Sequence, residues 1–265
     1  MPNKFITILF LGDICSTLGR EAAKKCIDIY KEKKKIDFII ANGENTTHGN
    51  GLSFSHYNEL ISYGIDAVTN GNHFMNVRDA LNPDLNFENA VRPYNLDPSL
   101  PGVGTKLFIH NDVKIRVTNL LGRVFINMSL SNPFYDFEKI LKETGDDEIH
   151  IVDFHGEATA EKRCFAEYFD GQATAVIGTH THVQTNDAKI LNKGTFFLTD
   201  VGMNGAYDSV LGVEKEGSIT KTMTGKPAAF NIPRTGNKLS NAVILKIDTK
   251  SKKVIKFELI NDIYL

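Results

Sequence analysis

The sequence predicts an α/β fold in which two sheets pack as a sandwich flanked by helices, with mixed parallel and antiparallel strands. In the first half of the chain, short apolar runs alternate with helical patterns, which is typical of a parallel sheet joined by right-handed crossovers. Farther on, polar turns between apolar runs predict antiparallel hairpins. A chain of 265 residues without a linker or internal repeat suits one large core, so we expect a single domain over residues 1–265.

The first half of the chain is expected to alternate strand and helix. Phe5–Leu11 is an unbroken apolar run, which predicts a strand buried on both faces. Glu21–Lys35 carries apolar residues at helical spacing, which predicts a helix. Phe38–Ala41, Phe54–Tyr63 and Ala67–Thr69 continue the pattern as strand, helix and strand. In such sheets the functional residues gather beyond the carboxyl ends of the strands.

The second half is expected to place antiparallel strands behind this parallel sheet. Residues 85–102 are rich in Asn and Pro and predict a long loop, whereas residues 204–237, with many Gly and Lys, predict a mobile insertion near the site. The remaining predicted elements are hairpins at Lys106–Ile109 with Val113–Leu120 and at Ala242–Ile247 with Val254–Leu259, strands at Glu148–Phe154, Ala173–Ile177 and Phe196–Thr199, and a helix at Glu157–Phe169.

Composition and charge narrow the class of protein. A net charge of −2 gives no general attraction to nucleic acid or to an anionic membrane. Cys15, Cys26 and Cys164 are odd in number and scattered, which argues against a disulfide framework or a cysteine-zinc site and favours a reducing compartment. The apolar run at Phe5–Leu11 is too short to span a membrane. We therefore expect a cytoplasmic enzyme that does not contact membranes.

Side chains that can bind metal ions follow five of the predicted strands. Carboxylate, amide and imidazole groups suit manganese, iron or zinc. Glu44 is the natural bridge between two ions, because its two carboxylate oxygens can be shared. Asp13 can cap one ion and Asn72 the other, and imidazoles are available in the second half of the chain. These imidazoles belong to His155, His180 and His182.

The spacing of His180 and His182 is compatible with one ligand for each ion, provided that they lie in a loop where both can turn inward. Two ions about 3.5–4 Å apart can hold a hydroxide for attack on phosphorus and neutralise the phosphoryl oxygens. The pattern therefore predicts phosphoester hydrolysis. His73 follows the ligand Asn72 and is expected to protonate the leaving oxygen, since imidazole titrates near neutral pH.

Several other residues allow two interpretations. His48 lies in a glycine-rich loop near Glu44, where it could contact substrate or simply face solvent. Arg123 could bind a phosphate or form a structural ion pair. No clear platform for a nucleobase is visible, and the candidates for stacking are Phe74, Tyr94 and Tyr207.

Taken together, the motifs resemble those of the calcineurin-like metallophosphoesterases, most of all the YmdB branch, over essentially the whole chain. The motifs are Gly12-Asp13, Asn42-Gly43-Glu44-Asn45, Thr69-Asn70-Gly71-Asn72-His73, Asp153-Phe154-His155-Gly156-Glu157-Ala158-Thr159 and Gly178-Thr179-His180-Thr181-His182-Val183-Gln184-Thr185. Cys15 stands where the larger superfamily has a histidine ligand, and the YmdB branch also lacks that histidine. Cys15 could be an inert buried thiol or a weak extra ligand.

The resemblance implies a two-sheet metallophosphoesterase sandwich and a specific division of the ligands. Metal one would take Asp13, Glu44, Asn45 and His182. Metal two would take Glu44, Asn72, His155 and His180, with His73 as the proton donor. The resemblance further implies iron or manganese, with zinc also compatible, homo-oligomers, and hydrolysis of cyclic nucleotide phosphodiesters such as 2′,3′-cyclic AMP.

Two other functions are compatible with the same residues. One is a phosphomonoesterase of the nucleotidase kind. The other is a regulatory protein of RNA turnover whose metal site has little catalytic activity. Direct nucleic-acid binding is not expected, because phosphate contacts need clustered Lys and Arg and a net charge of −2 gives no general excess of positive charge.

Overall fold

Two sheets form the centre of the computed structural model, which describes residues 4–265. The strands are β1 Phe5–Leu11, β2 Asp13–Ile14, β3 Phe38–Asn42, β4 Ala67–Thr69, β5 Ala90–Val91, β6 Thr105–His110, β7 Val113–Leu121, β8 Ile149–His155, β9 Ala175–Thr179, β10 Lys189–Ile190, β11 Phe196–Leu198, β12 Met203–Ala206, β13 Lys238–Asp248 and β14 Val254–Tyr264. The helices are α1 Ser16–Lys33, α2 Phe54–Ser62, α3 Pro133–Glu143, α4 Thr159–Tyr168 and α5 Lys215–Thr224, with short 3-10 turns at Phe74–Asn76 and Arg78–Leu81.

The predicted two-sheet sandwich with mixed strands is confirmed, but each of the sheets is itself mixed. The first sheet has the order β2-β12-β13-β1-β3-β4-β5, with β14 on β13. The second has the order β10-β11-β9-β8-β7-β6. Parallel pairs occur in both sheets. They join β1, β3, β4 and β5 in the first sheet and β7, β8, β9 and β11 in the second. The expected division into a parallel and an antiparallel sheet is therefore wrong. The second sheet also contains parallel strands, because α4 makes the crossover between β8 and β9.

The alternation of side chains along β1 explains its unbroken apolar sequence. Ile8 and Phe10 belong to the core between the two sheets. Leu9 and Leu11 point the other way and pack in the core beneath α1 and α2. From Ile8 onward both faces of the strand are covered and every residue is apolar; the one polar side chain, Thr7, lies in the partly buried first half. The first polar side chain beyond the carboxyl end of β1 is Asp13.

The first helix begins earlier than predicted, at Ser16 instead of Glu21. Gly19 allows this, because a Cβ at that position would come within 2.4 Å of the carbonyl oxygen of Asn204. The close approach seats α1 on β12, so the glycine reflects packing here and does not break the helix. A glycine in a local pattern does not reveal such a contact.

Two helices were not predicted from the sequence. In α3, Asn132 accepts a hydrogen bond from the backbone N–H of Phe134, and Pro133 occupies the first turn. These are standard features of a helix start. The segment 204–237, expected to be a mobile insertion, contains β12 and α5, and β12 pairs with β2 and β13. Gly225 ends α5 in the left-handed conformation that glycine accepts readily.

Candidate metal centre

Three lone-pair donors from three other segments of the chain converge beside Nε2 of His155, which is itself the fourth. Oδ1 of Asn72 and Nδ1 of His180 each lie 3.0 Å from this nitrogen, and Oε1 of Glu44 lies 3.2 Å from it. A single ring proton cannot satisfy an amide oxygen, a second imidazole and a carboxylate together. A cation can. The donor set therefore fits a transition metal, and these four residues are the set expected for metal two.

Gly71 makes this convergence possible. A Cβ at Gly71 would lie 2.1 Å from Oε2 of Glu44 and 2.5 Å from the ring of His155. The missing side chain lets the turn after β4 pass close enough for Asn72 to reach the ring. It also allows the backbone N–H of His73 to donate to Oε2 of Glu44 over 3.1 Å.

The residues expected for metal one lie around the same bridge. Asp13 is completely buried, its Oδ2 accepts from the backbone N–H of His180 at 3.1 Å, and its Oδ1 has no hydrogen-bond partner. A buried carboxylate oxygen without a partner is costly in a folded protein unless a cation or water fills the place. The orphaned oxygen of Asp13 therefore fits a metal ligand.

Asn45 joins the groups of this second position. Its amide nitrogen lies 3.0 Å from Nε2 of His182 and 3.2 Å from Oε1 of Glu44, and its Oδ1 lies 2.8 Å from Nδ1 of His73. As placed, the amide nitrogen and not the oxygen faces the other ligands. The structure thus brings Asn45 to the predicted position, with its oxygen turned toward His73.

The orientation of His155 is set by a buried carboxylate that was not singled out from the sequence. The hydroxyl of Thr179 donates to Oδ1 of Asp153 at 2.6 Å, so it must accept from Nδ1 of His155, 2.8 Å away. Thr69 and Asn42 also donate to Asp153, over 2.5 and 3.0 Å. This arrangement places the proton of His155 on Nδ1 and leaves Nε2 facing the centre, as in other metal sites with outer hydrogen bonds.

The two histidines after β9 are held in a strained loop. His180 and His182 have φ angles of 100° and 66°, which non-glycine residues seldom adopt. Nε2 of His180 lies 3.1 Å from a carboxylate oxygen of Glu157, and Nδ1 of His182 lies 3.0 Å from the carbonyl oxygen of Leu211. Both rings therefore direct their other nitrogen inward from a loop, as the prediction required, and their roles as metal ligands stay predictions.

A buried ion pair fixes that loop from below. The ammonium group of Lys162 lies 2.9 Å from Oδ2 of Asp200 and donates to the carbonyl oxygen of Thr179 at 2.7 Å. The same carboxylate oxygen accepts from the backbone N–H of Thr181. Lys162 and Asp200 are both fully buried. Lys162 was missed from the sequence, although a lysine three residues before Phe165, on the apolar side of a predicted helix, is a detectable signal.

The electrostatics of the centre show an excess of buried negative charge. Burial opposes the charged form of His155, but the carboxylates of Glu44, Asp13 and Asp153 raise its pKa to about 9. Burial also works against ionised Glu44, yet His155 and His73 hold its pKa below the ordinary value. Burial raises the pKa of Asp13 to about 6, although His182 and His155 oppose the shift. Such a cluster is stabilised by added cations.

His73 lies at the rim of the centre. Its side chain is 33% exposed, and its Nδ1 lies 2.8 Å from Oδ1 of Asn45 and 3.6 Å from Oε1 of Glu44. Among residues 4–265, Nε2 of His73 has no hydrogen-bond partner. The ring is thus oriented through one nitrogen and offers the other to whatever binds at the rim.

The structure distinguishes between the two interpretations of Cys15. Cys15 is buried, and burial, with Asp13 and Glu44 nearby, raises the pKa of its thiol to about 12. A Cβ at Gly212 would lie 2.7 Å from its sulfur. Cys15 is therefore a packed neutral thiol in this structure, in line with the interpretation as an inert residue.

Three residues that were considered as substrate contacts form no side-chain hydrogen bond with the proposed metal ligands. His48 is exposed, and its ring lies edge-on to His56 at 6.1 Å. Phe74 is buried in a small apolar cluster, so it offers no stacking surface at the metal centre. Arg123 is exposed, and its guanidinium forms no ion pair with a carboxylate of residues 4–265, so the structural ion pair is absent there.

Comparisons with known proteins agree with this geometry. The protein-family model described as "YmdB-like protein" matches residues 9–260. A 2′,3′-cyclic-nucleotide 2′-phosphodiesterase of Bacillus subtilis (strain 168) is 42% identical over 258 residues, covering 96% of this chain and 97% of that protein. A crystal structure of a phosphatase of Mycoplasma pneumoniae is 40% identical, has a TM-score of 0.92 and covers 100% of this chain and 95% of its own.

A second solved structure, a hypothetical protein of Thermus thermophilus, is 33% identical with a TM-score of 0.91, and the match covers 98% of this chain and 100% of the other. Within residues 4–265, no helix has the length and apolar character needed to cross a membrane.

Proposed function

The chain belongs to the YmdB-like protein family, and from this membership we propose that it hydrolyses cyclic nucleotide phosphodiesters, 2′,3′-cyclic AMP among them, at a centre that binds two transition-metal ions. It is a phosphoesterase of the metallophosphoesterase fold. The observation that carries the proposal is the convergence of Glu44, Asn72 and His180 on one nitrogen of His155, beside the orphaned oxygen of Asp13. The Bacillus subtilis relative is a 2′,3′-cyclic-nucleotide 2′-phosphodiesterase, which supports the choice of substrate.

The two ions would share the carboxylate of Glu44. Metal one would be held by Asp13, Glu44, Asn45 and His182, and metal two by Glu44, Asn72, His155 and His180. Asn45 would bind through its amide oxygen, so its side-chain amide would have to rotate from the orientation in which the nitrogen faces the other ligands. Iron or manganese suits this mixed oxygen and nitrogen set, and zinc is compatible with it. When bound, the ions supply Lewis acidity toward the phosphoryl oxygens and an activated nucleophile.

The chain itself supplies the proton that the leaving group needs. As the bond between phosphorus and a ribose oxygen breaks, that oxygen becomes an alkoxide and must be protonated. His73 offers Nε2 at the rim, while Asn45 holds Nδ1. Positioned acids of this kind accelerate reactions by roughly 10²–10⁴-fold. His73 is thus the residue we assign to general acid catalysis.

The rigid surroundings of the ligands keep the site in place before substrate arrives. Asp153 fixes His155 through Thr179, and the Lys162–Asp200 pair fixes the loop of His180. Preorganised groups lose no binding energy to reorganisation during the reaction. The strained φ angle of His180 is held by these contacts.

The direct test is hydrolysis by purified protein loaded with manganese or iron. We expect turnover of bis-p-nitrophenyl phosphate and of 2′,3′-cyclic AMP, loss of turnover with a chelator, and recovery when the metal is returned. Glu44→Gln, prepared in the same way, serves as the inactive control. No turnover of any phosphodiester with either metal would overturn the proposal.

The second candidate is a phosphomonoesterase. It is favoured by the crystal structure of a phosphatase that is 40% identical to this chain. Comparing p-nitrophenyl phosphate with its diester, and nucleoside monophosphates with cyclic nucleotides, on one preparation separates the two. A regulatory role in RNA turnover with little catalysis would instead give slow turnover of every substrate together with a stable protein partner in a pulldown.

The setting of the enzyme is also a proposal. We place it in the cytoplasm, because its three cysteines are free in the structure and suit a reducing compartment. We further propose a homo-oligomer that binds no nucleic acid directly. Light scattering coupled to gel filtration tests the oligomeric state, and titration with RNA at low salt tests whether the protein binds nucleic acid.

A further inference from the structure

A cavity of about 350 Å³ lies against the segment that carries Asn72 and His73, on a different side from the metal centre. Asn70 and Phe74, which flank that pair, both line it. The other walls include Leu52 and Phe87. None of the proposed metal ligands lines the cavity, so it is a separate site. Its volume is in the range of pockets that take small organic ligands.

Arg92 lines one wall of the cavity without an ion-pair partner among residues 4–265. The residue is only 7% exposed, and one guanidinium nitrogen donates to the carbonyl oxygen of Pro93 at 2.8 Å. Its Nε is buried and has no hydrogen-bond partner. No carboxylate of residues 4–265 forms an ion pair with it, and burial lowers its pKa although the more distant charge of Asp97 opposes the shift. Buried arginines are normally paired, because an uncompensated buried charge is costly.

We propose that this cavity binds a small organic anion, a carboxylate or a phosphate carried on a flat apolar group, with Arg92 as the partner of the anion. The planar guanidinium presents donors that match both anions. The apolar walls formed by Leu52, Phe74 and Phe87 suit a ring better than a bare inorganic ion, which would leave them unfilled. The proposal does not depend on which reaction the metal centre performs.

Isothermal titration of the full-length protein tests this with three probes of similar size. Phenylphosphonate and benzoate carry the two possible anions, and benzyl alcohol is neutral. We expect at least one anion to bind and the alcohol to bind at least tenfold more weakly, because hydrogen bonds to charged groups are stronger than neutral ones. Failure of both anions to bind at millimolar concentration would overturn the proposal.

Variants locate the bound anion. Arg92→Gln should weaken binding by about tenfold or more, since charge-assisted contacts are lost. Arg78→Gln, at an exposed arginine of the neighbouring 3-10 turn, should leave the affinity unchanged. Asn72→Ala, which alters the metal centre, should also leave it unchanged. Binding that is lost in Asn72→Ala but kept in Arg92→Gln would place the anion on the metals and overturn the proposal.

A second pair of variants keeps the test valid if Arg92→Gln does not fold. Arg92→Lys retains the charge without the planar fork and should bind several-fold more weakly than the original protein. Leu85→Trp enlarges a lining residue and should reduce binding of both anions by narrowing the cavity. Unchanged affinity in both variants would show that the anion binds elsewhere.

Discussion

A carboxylate oxygen of Glu157 lies 3.1 Å from Nε2 of His180 and thereby turns the other ring nitrogen of His180 toward Nε2 of His155, 3.0 Å away. Glu157 is half exposed, so its carboxylate remains hydrated while it holds the ring. Pairs of this kind fix the tautomer and the direction of a metal-binding histidine.

Removal of that carboxylate should loosen metal two. We expect Glu157→Ala to lower metal affinity by roughly 10–100-fold, the usual effect of losing an outer partner of a ligand. Glu157→Gln should lie between this variant and the original protein, because an amide can still accept the ring proton. The measurement is metal content after dialysis against a graded chelator. Glu167→Gln, an exposed residue paired with Arg163, is the control, and equal losses in the two would refute the assignment.

Glu44→Gln should be the most damaging single ligand change. As the proposed bridge, its carboxylate serves both ions, and the amide removes a negative charge that offsets two cations. We expect loss of at least one metal per chain by elemental analysis, with the fold retained by circular dichroism. If both metals stay at full occupancy, Glu44 is not the bridge.

Asn72 and His73 are neighbours with different proposed roles. His73→Asn should retain both metals and reduce turnover by roughly 10²–10⁴-fold. The loss should shrink for p-nitrophenyl esters, whose leaving group needs little protonation. Asn72→Ala should instead deplete the second metal and slow all substrates alike. Loss of metal in His73→Asn, or equal slowing of nitrophenyl and ribose esters, would make His73 a ligand or a phosphate clamp.

The buried pair of Lys162 and Asp200 should be a stability determinant. Lys162→Met leaves a buried carboxylate uncompensated and should lower the free energy of unfolding by about 3–5 kcal/mol. Adding Asp200→Asn should recover part of the loss. Arg163→Gln, which breaks the exposed pair with Glu167, should cost at most about 1 kcal/mol. Urea unfolding of the four proteins gives the comparison, and a small effect of Lys162→Met would mean that water reaches the pair.

His150 should make stability sensitive to acid at the opposite ends of the strands from the metal centre. The ring is buried, Nε2 lies 2.8 Å from the hydroxyl of Thr118, Nδ1 has no partner, and burial lowers its pKa to about 3. Because the folded pKa lies below the unfolded value, the stabilisation is present above about pH 6.5 and is lost as pH falls toward 3.

Each pH unit in that window should remove about 1.4 kcal/mol through this residue. His150→Gln should flatten the dependence by about one proton, whereas His48→Gln, at an exposed site, should leave it unchanged. Urea unfolding between pH 4 and pH 7 provides the slopes. Parallel slopes for His150→Gln and the original protein would show that another group controls the acid response.

Local patterns were sufficient for much of the fold. β1 and β4 begin and end at the residues predicted for them, because an apolar β-branched run specifies a buried strand by itself. The rule that polar residues gather after parallel strands brought Asp13, Glu44 and Asn72 together at the carboxyl ends of β1, β3 and β4 in the prediction, and in the structure they follow these neighbouring strands of one sheet. Their exact roles as ligands stay predictions.

Contacts between distant segments decided what the sequence alone could not. Gly19 continues a helix because Asn204 packs against it, and Lys162 of α4 is buried because Asp200, in the loop between β11 and β12, meets it. Arg92 is buried and forms no ion pair with a carboxylate of residues 4–265, although nothing in the neighbouring sequence distinguishes it from a surface arginine. A single sequence records which groups are charged or apolar along one segment. The distance between two groups, and therefore whether a charge is paired, depends on how the two sheets and their crossovers bring separate segments together.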